Sequence, residues 1–424
     1  MGRVLNDAGS GMREAQQPLA HRSRLNEPFP HPASRIPHPA SRIPHPASRI
    51  PHPASMRYIG NKTRLLPFLQ STLRRLGIEP GSAHDAFAGT ASVGRALKAA
   101  GWRVASSDIM TYSYVFQRAY VVAQRSPSFA ALRAGDPDVR RALRSASFRD
   151  AVRARGGGAL DVVAEYLTRW LEPQRDFVSE HFAPSGGRMY FTDENAARID
   201  TVRERLHSWH AAGLIGDDAL YVLLAALIEG ADRVANTAGV YAAFIKQWQP
   251  NARRALTLTP ERPVRGANGS TAHRGDAATI ARTLGAIDLL YVDPPYNGRQ
   301  YVGYYHVPEI IARGWFDERP VLFGKTGLLD GRGQRSAWCS PRRVERALTE
   351  LLQATGARHV LVSYNSEGLL PEPVMRRTLS AAAVDGRVRR FALRYRRYRA
   401  DSDRDGRRYR GDSVRELLFY ARLR

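Results

Sequence analysis

The chain has 424 residues, 43% of them hydrophobic, and a single cysteine, Cys339, enough for a sizeable core and two domains but not for an internal disulfide framework or a cysteine-based zinc cluster. Its formal net charge of +24 points to a polyanionic partner, because clustered cations release counterions condensed on nucleic acid; only four of the cations are lysines, so codon bias in a GC-rich genome is discounted from that signal. No apolar run reaches the roughly 18 to 20 residues of a membrane-spanning helix, and no signal-peptide core opens the chain, so a cytoplasmic protein without a membrane partner is expected.

Residues 31–55 repeat HPASRIP with a strict period of seven. Two prolines per unit remove amide donors and rule out a coiled coil, so residues 1–55 are read as a disordered tail that need not be native, and the fold as beginning at Met56. His31, His38, His45 and His52 recur without anything to pre-organise them, and no metal site is assigned.

The first ordered block is Met56-Arg57-Tyr58-Ile59-Gly60-Asn61-Lys62. Leu65, Leu66, Leu69, Leu73 and Leu76 follow at three- and four-residue spacing, which predicts an amphipathic helix with Lys62 near its start. A lysine at the positive end of a helix dipole is unfavourable and invites another explanation.

A second block, His84-Asp85-Ala86-Phe87-Ala88-Gly89-Thr90-Ala91-Ser92-Val93-Gly94, reads as strand, tight turn and helix, with a second strand ending at Asp108. It is close to a dinucleotide fingerprint, but alanine stands where the middle glycine would admit a pyrophosphate. Asp108, about twenty positions past the turn, suits the two hydroxyls of a ribose. A nucleoside cofactor without a diphosphate suggests S-adenosylmethionine.

Residues 120–271 are mostly helical in pattern and are read as an insertion between 56–119 and 272–424, the two parts of a catalytic domain. Asp217 is the expected N-cap of its last long helix. Arg188, Arg233, Lys246, Arg253 and Arg254 are read together as phosphate-facing cations, against the alternative of an ordinary solvated helix face.

The third block is Leu289-Leu290-Tyr291-Val292-Asp293-Pro294-Pro295-Tyr296. Residues before proline are held extended, and prolines bring no amide hydrogens, so the strand ends in a stiff cluster of acceptors beside an aromatic ring. Asp293 and the Pro294 carbonyl suit the two hydrogens of a nucleobase amino group, with Tyr296 stacked on the base. Holding both hydrogens draws the nitrogen toward a tetrahedral form whose lone pair attacks a sulfonium methyl. The C-terminal segment, rich in arginine and tyrosine, reads as two strands joined by an Asp/Gly turn.

Together the three blocks resemble the Dam-like, alpha-group adenine-specific DNA methyltransferases, from about Met56 to the C-terminus. The resemblance implies an α/β, Rossmann-like S-adenosylmethionine-dependent sheet, a mostly helical inserted target-recognition domain and a C-terminal β-hairpin. It implies that Tyr58, Lys62, Asp108 and Asp293 contact the methyl donor and that Phe87 lies near its adenine, with Asp85 and Gly89 of the glycine turn beside them. Asp293, Pro294 and Tyr296 would act on a flipped-out adenine in double-stranded DNA, as a monomer and without a metal, with a cognate restriction endonuclease as a possible companion. The stretches 230–248, 296–315, 324–329 and 360–368 are similar to a subset of the family. Two departures are Ala91 in the glycine turn and Pro308, which is expected to interrupt the helix after His306.

Methylation at cytosine carbon-5 is excluded by Trp338, where the nucleophilic cysteine would have proline before it, and Cys339 is read as a packing residue. Methylation of RNA adenine or of a cytosine amino group, and a nucleic-acid-binding subunit without catalysis, remain as alternatives.

Overall fold

The computed structural model describes residues 56–58, 60–396 and 413–423. The heptapeptide repeat and the Asp/Gly turn of the C-terminal hairpin lie outside them. Among the described residues nine strands occur in chain order: β1 Ser82–Asp85, β2 Arg103–Asp108, β3 Thr271–Arg274, β4 Ala286–Val292, β5 Leu322–Phe323, β6 Leu328–Leu329, β7 Gly356–Asn365, β8 Arg389–Arg396 and β9 Ser413–Arg422. Seven form one sheet in the order β3-β2-β1-β4-β7-β9-β8, while β5 and β6 make a separate two-residue hairpin.

The five strands from β3 to β7 run parallel. β9 runs antiparallel to β7, and β8 antiparallel to β9. The chain builds outward from β1 through β2 to β3, then returns to lay β4 on the other side of β1. That reversal makes a topological switch point between β1 and β4, where Rossmann-like sheets open a crevice beyond their carboxyl ends. Asp85 is paired with Tyr291 there, two residues before Asp293.

Strand β4 is almost continuously apolar because both sheet faces are covered. Leu289 and Tyr291 join the core on one face with Leu361, whereas Leu290 and Val292 join the other with Val360 and Val362. Alternation with period two sorts one strand between two cores.

Between β2 and β3 the described chain contains helices and no strands. The longest are Asp193–Ala211 and Asp217–Arg233. The second carries buried side chains at most of its positions, from Ala219 to Asp232, which lets it pack against Thr111–Phe116 and His306–Arg313. Gly216, not Asp217, is its N-cap. Asp217 is instead the first helical residue, where its carboxylate meets His210 at 3.0 Å and Arg118 at 3.4 Å.

Pro308 does not interrupt the helix after His306. The helix runs His306–Arg313 with Pro308 in its first turn, where the missing amide has no partner to lose. Ala91 does occupy a glycine-like backbone position, with φ of 58° and no exposed surface. No helix among the described residues is long and apolar enough to cross a membrane.

Candidate active site

A cleft at the switch point encloses about 970 Å³ of empty space, its open mouth included, and Tyr58, Lys62, Asp85, Phe87, Gly89, Asp108, Asp293, Pro294 and Tyr296 all line it. The elements explain the convergence. Asp85 and Asp108 end the parallel neighbours β1 and β2, and Asp293 directly follows β4. The glycine turn links β1 to the helix Ser92–Ala99, whose Gly94 amide donates to Asp85 Oδ2 at 2.9 Å. A Cβ at Gly94 would lie 3.0 Å from that oxygen, so glycine lets strand and helix approach this closely.

Asp108 is held on both oxygens by backbone: Oδ2 accepts from Gly89 and Oδ1 from Met110, each at 2.9 Å. Gly89 itself has φ of +52°, and a Cβ there would come within 2.9 Å of the Tyr58 ring. Tyr58 stacks on Tyr305, ring centroids 4.7 Å apart, and accepts a hydrogen bond from the Tyr112 hydroxyl. Phe87 meets Trp338 edge to face at 4.9 Å.

The Asp293 corner is the most charged part of the cleft. Lys62 Nζ lies 3.2 Å from Asp293 Oδ1 and 3.3 Å from Glu416 Oε2. It also touches the Tyr296 hydroxyl and sits 4.6 Å from the centre of that ring. The Tyr296 hydroxyl donates to Asp293 Oδ1. Burial pushes the Asp293 carboxyl up to about 6, against the pull of Lys62 and the Tyr296 hydrogen bond. Asp85 rises to about 7 through burial and then through the neighbouring charge of Asp293, and its Oδ1 is buried without a partner among the described residues. Burial also raises Asp108.

The supporting blocks meet around this corner. Tyr364, near the end of β7, packs its ring at right angles to Tyr296, 5.3 Å between centroids, and its hydroxyl accepts from the Leu370 amide. Residues 230–248 hold the first block. The Asp232 carboxylate accepts from the Arg57 amide at 2.8 Å, and the Arg57 guanidinium donates to the carbonyls of Asp232, Ala235 and Thr237. The β5–β6 turn is pinned where the Thr326 carbonyl accepts from the Tyr190 hydroxyl at 3.1 Å and lies 3.0 Å from His306 Nε2.

Comparison with known proteins bears on this geometry. The family model for D12 class N6 adenine-specific DNA methyltransferases matches residues 58–328, from Tyr58 through the Asp293 turn. The chain belongs to that family. The type II methyltransferase M.NlaIII of Neisseria lactamica is 32% identical over 368 residues, covering 86% of this chain and 98% of that protein. M.FokI of Planomicrobium okeanokoites is 30% identical across 86% of this chain and 52% of its own length, and the modification methylase StsI of Streptococcus sanguinis 29% across 86% and 51%. The chain therefore spans about half of the FokI and StsI proteins and nearly all of M.NlaIII.

Several residues of this methyltransferase's cleft carry no mark in the sequence reading. Gln334 and Asp276 line it, together with Tyr301 at the start of a short helix and Trp338 in a 3-10 turn, which the sequence places in a family stretch and beside Cys339 but not in the cleft. Glu416 had a signal, a lone acid before the apolar run Leu417-Leu418-Phe419. Of the phosphate-facing cations, Arg188 donates to the carbonyls of Lys325, His181 and Gly324, and Arg233 to that of Thr257, so both are committed to backbone. Lys246, Arg253 and Arg254 are exposed. Cys339 is buried, and burial pushes its thiol up to about 11, which keeps it protonated at neutral pH and fits a packing residue.

Proposed function

We propose that this methyltransferase transfers the methyl group of S-adenosylmethionine to the exocyclic nitrogen of an adenine flipped out of double-stranded DNA, at a specific site and by direct in-line displacement. The observation that carries the reading is the Asp293-Pro294-Pro295-Tyr296 turn seated at the switch point in the same cleft as Asp108, Asp85 and Lys62. It acts in this reading as a cytoplasmic monomer. The helices between β2 and β3 serve target recognition, with Lys246, Arg253 and Arg254 toward the phosphates. The names of the relatives, type II methyltransferases and a modification methylase, favour a companion restriction endonuclease.

The residues of the cleft fit the donor. Asp108 spends one lone pair of each oxygen on backbone amides and keeps others for ribose hydroxyls. The partnerless buried Oδ1 of Asp85 offers an acceptor to a cationic group, and the Phe87–Trp338 pair offers aromatic surface. When bound, S-adenosylmethionine supplies an electrophilic methyl on a sulfonium sulfur.

The protein's own contribution is positioning and proton handling. Asp293 and the Pro294 carbonyl hold the two amino hydrogens, which exposes the nitrogen lone pair. Tyr296 stacks on the base, and stacking worth about 1 to 3 kcal/mol offsets part of the few kcal/mol that flipping costs. Once nitrogen carries the new N–C bond, it sheds a proton, and Asp293 is placed to take it with a proton affinity close to neutral, as suits a general base. Fixing both reactants can contribute roughly 7 to 11 kcal/mol.

Labelled donor incubated with duplex DNA should place methyl on adenine. Asp293→Ala should lower transfer at least about a thousandfold, by losing base catalysis and amino-group positioning together, while salt-sensitive DNA binding stays within about threefold. Unchanged turnover in that variant rejects the assignment. Label on cytosine alone, or preference for structured RNA in competition, selects one of the alternative substrates.

A further inference from the structure

Behind the cleft lies a second cavity enclosing about 260 Å³, lined by Lys62, Tyr291, Ser363 and Glu416 together with leucine and phenylalanine side chains. Lys62 and Tyr291 line both spaces, so they form the partition between them. Glu416 reaches this partition from β9, where it is paired with Asn365 of β7. A carboxylate in a mostly apolar cavity is costly unless paired, and among the described residues Lys62 is the cation that Glu416 pairs with, at 3.3 Å.

One ammonium thus stands between two carboxylates, 3.2 Å from one and 3.3 Å from the other, with side-chain exposures of 5% for Lys62, 12% for Asp293 and 11% for Glu416. Little water screens the three. They leave one excess negative charge, and Lys62 alone would lock Asp293 into a simple ion pair of low proton affinity.

We propose that Glu416 is a positioning residue for methyl transfer: from the rear cavity it fixes the Lys62 ammonium, competes for its charge, and so sets the proton affinity of Asp293. The inference rests on the methyl-transfer reading above. The influences on Asp293 run in the required directions: burial raises it most, Lys62 and Tyr296 lower it, and Glu416 raises it. The other titratable groups facing Asp293 are Asp85 from β1, Tyr291 from β4, and Tyr296 and Tyr301 beyond it. Burial holds the three tyrosines well above their usual range, hence neutral in the working pH window, and Asp85 is common to every variant below.

The test measures single-turnover methylation of duplex DNA by the full chain from pH 5 to 9, for the wild type, Glu416→Gln, Glu416→Asp and Asp293→Asn. Glu416→Gln removes the competing charge, so the acid limb of the rate profile should move to lower pH by about one unit. Its donor affinity and DNA KM should stay within about threefold of wild type, because Glu416 lines the rear cavity and not the cleft. Glu416→Asp keeps the charge and should keep the limb, with a lower maximal rate. An unmoved limb in folded, donor-binding Glu416→Gln overturns the proposal. Where Glu416→Gln does not fold, Glu416→Asp decides: a reduced rate on an unshifted limb supports the role, and a wild-type rate at every pH overturns it. Asp293→Asn separates the two claims. Methylation surviving at full rate in it removes Asp293 as the proton acceptor of the methyl-transfer reading, whereas a dead Asp293→Asn beside an unmoved Glu416→Gln limb removes only the role of Glu416.

Discussion

Tyr296 has two parts that work in different directions. Its ring is the stacking surface proposed for the base, but its hydroxyl donates to Asp293 Oδ1 and touches Lys62, where a nucleobase amino group has to dock. Entry of the base therefore exchanges one hydrogen bond to Asp293 for another, and the ring carries the net gain. Tyr296→Phe keeps the ring and removes the competitor, so kcat/KM on duplex DNA should stay within about threefold of wild type. Tyr296→Ala loses stacking worth about 1 to 3 kcal/mol, or roughly 5- to 150-fold in kcat/KM. Steady-state kinetics on the two variants checks this, and equal losses would place the contribution in the hydroxyl. What the sequence discloses at this scale depends on punctuation. Asp293 is legible because prolines fix where its strand ends, and Asp108 because it stands about twenty positions past the glycine turn. Glu416 is marked only as a lone acid before an apolar run, and its pairing is not legible, because its partner Lys62 stands 354 positions earlier, a contact no local pattern encodes.

The elements of the site are legible for a related reason and illegible for its converse. The strand β4 follows from an apolar run bounded by turn residues, β1, β2 and the helix Ser92–Ala99 follow from the glycine-turn block, and the order of the blocks follows from the chain. The insertion is harder, because a helix buried nearly all round, such as Asp217–Arg233, has no polar stripe to time its ends, and Gly216 takes the cap expected of Asp217. The same helix does something its periodicity cannot show: Asp232, its side chain 2% exposed, grips Arg57 and so ties the insertion to the segment bearing Tyr58 and Lys62. Asp232→Ala strips the carboxylate from the Arg57 amide while leaving backbone carbonyls on the guanidinium, and the Arg57 side chain is 30% exposed, so water makes up part of the loss. The expected cost is about 1 to 3 kcal/mol in denaturant unfolding. Methyl-donor affinity, read by calorimetry, should fall at least about fivefold, since the slackened segment lines the donor's cleft. Asp217→Ala, at the exposed start of the same helix, should change stability by no more than about 0.5 kcal/mol and leave donor affinity as it was.

For the molecule as a whole, the cleft is a site of stored electrostatic cost, and its sign can be read from stability against pH. Burial raises Asp85 to about 7 and Asp293 to about 6, and it does the same to Asp200, about 6, and Glu229, about 7. A carboxyl whose folded pKa exceeds its unfolded value binds protons more tightly when folded, so its contribution is fully present below about pH 4 and is lost as pH rises through 6 to 7. His84 and His306 oppose this: burial lowers them to about 3 and about 4, so stability is lost as pH falls from 6.5 toward those values. The two sets overlap between about pH 4 and 6.5, and above that only the carboxyls still titrate. Asp85→Asn isolates one of them, since an amide oxygen can still accept from Gly94 while carrying no charge. The variant should therefore be more stable than wild type at pH 8, by on the order of 2 kcal/mol, and the advantage should shrink steadily as pH falls toward 5. Urea unfolding of both proteins at pH 5, 6, 7 and 8 measures it. A constant offset at every pH would mean that Asp85 is ionised throughout. The same substitution should weaken binding of the cationic donor at pH 8, so that stability is gained where function is lost, the trade expected when a charge is kept in a cleft for its ligand and not for the fold.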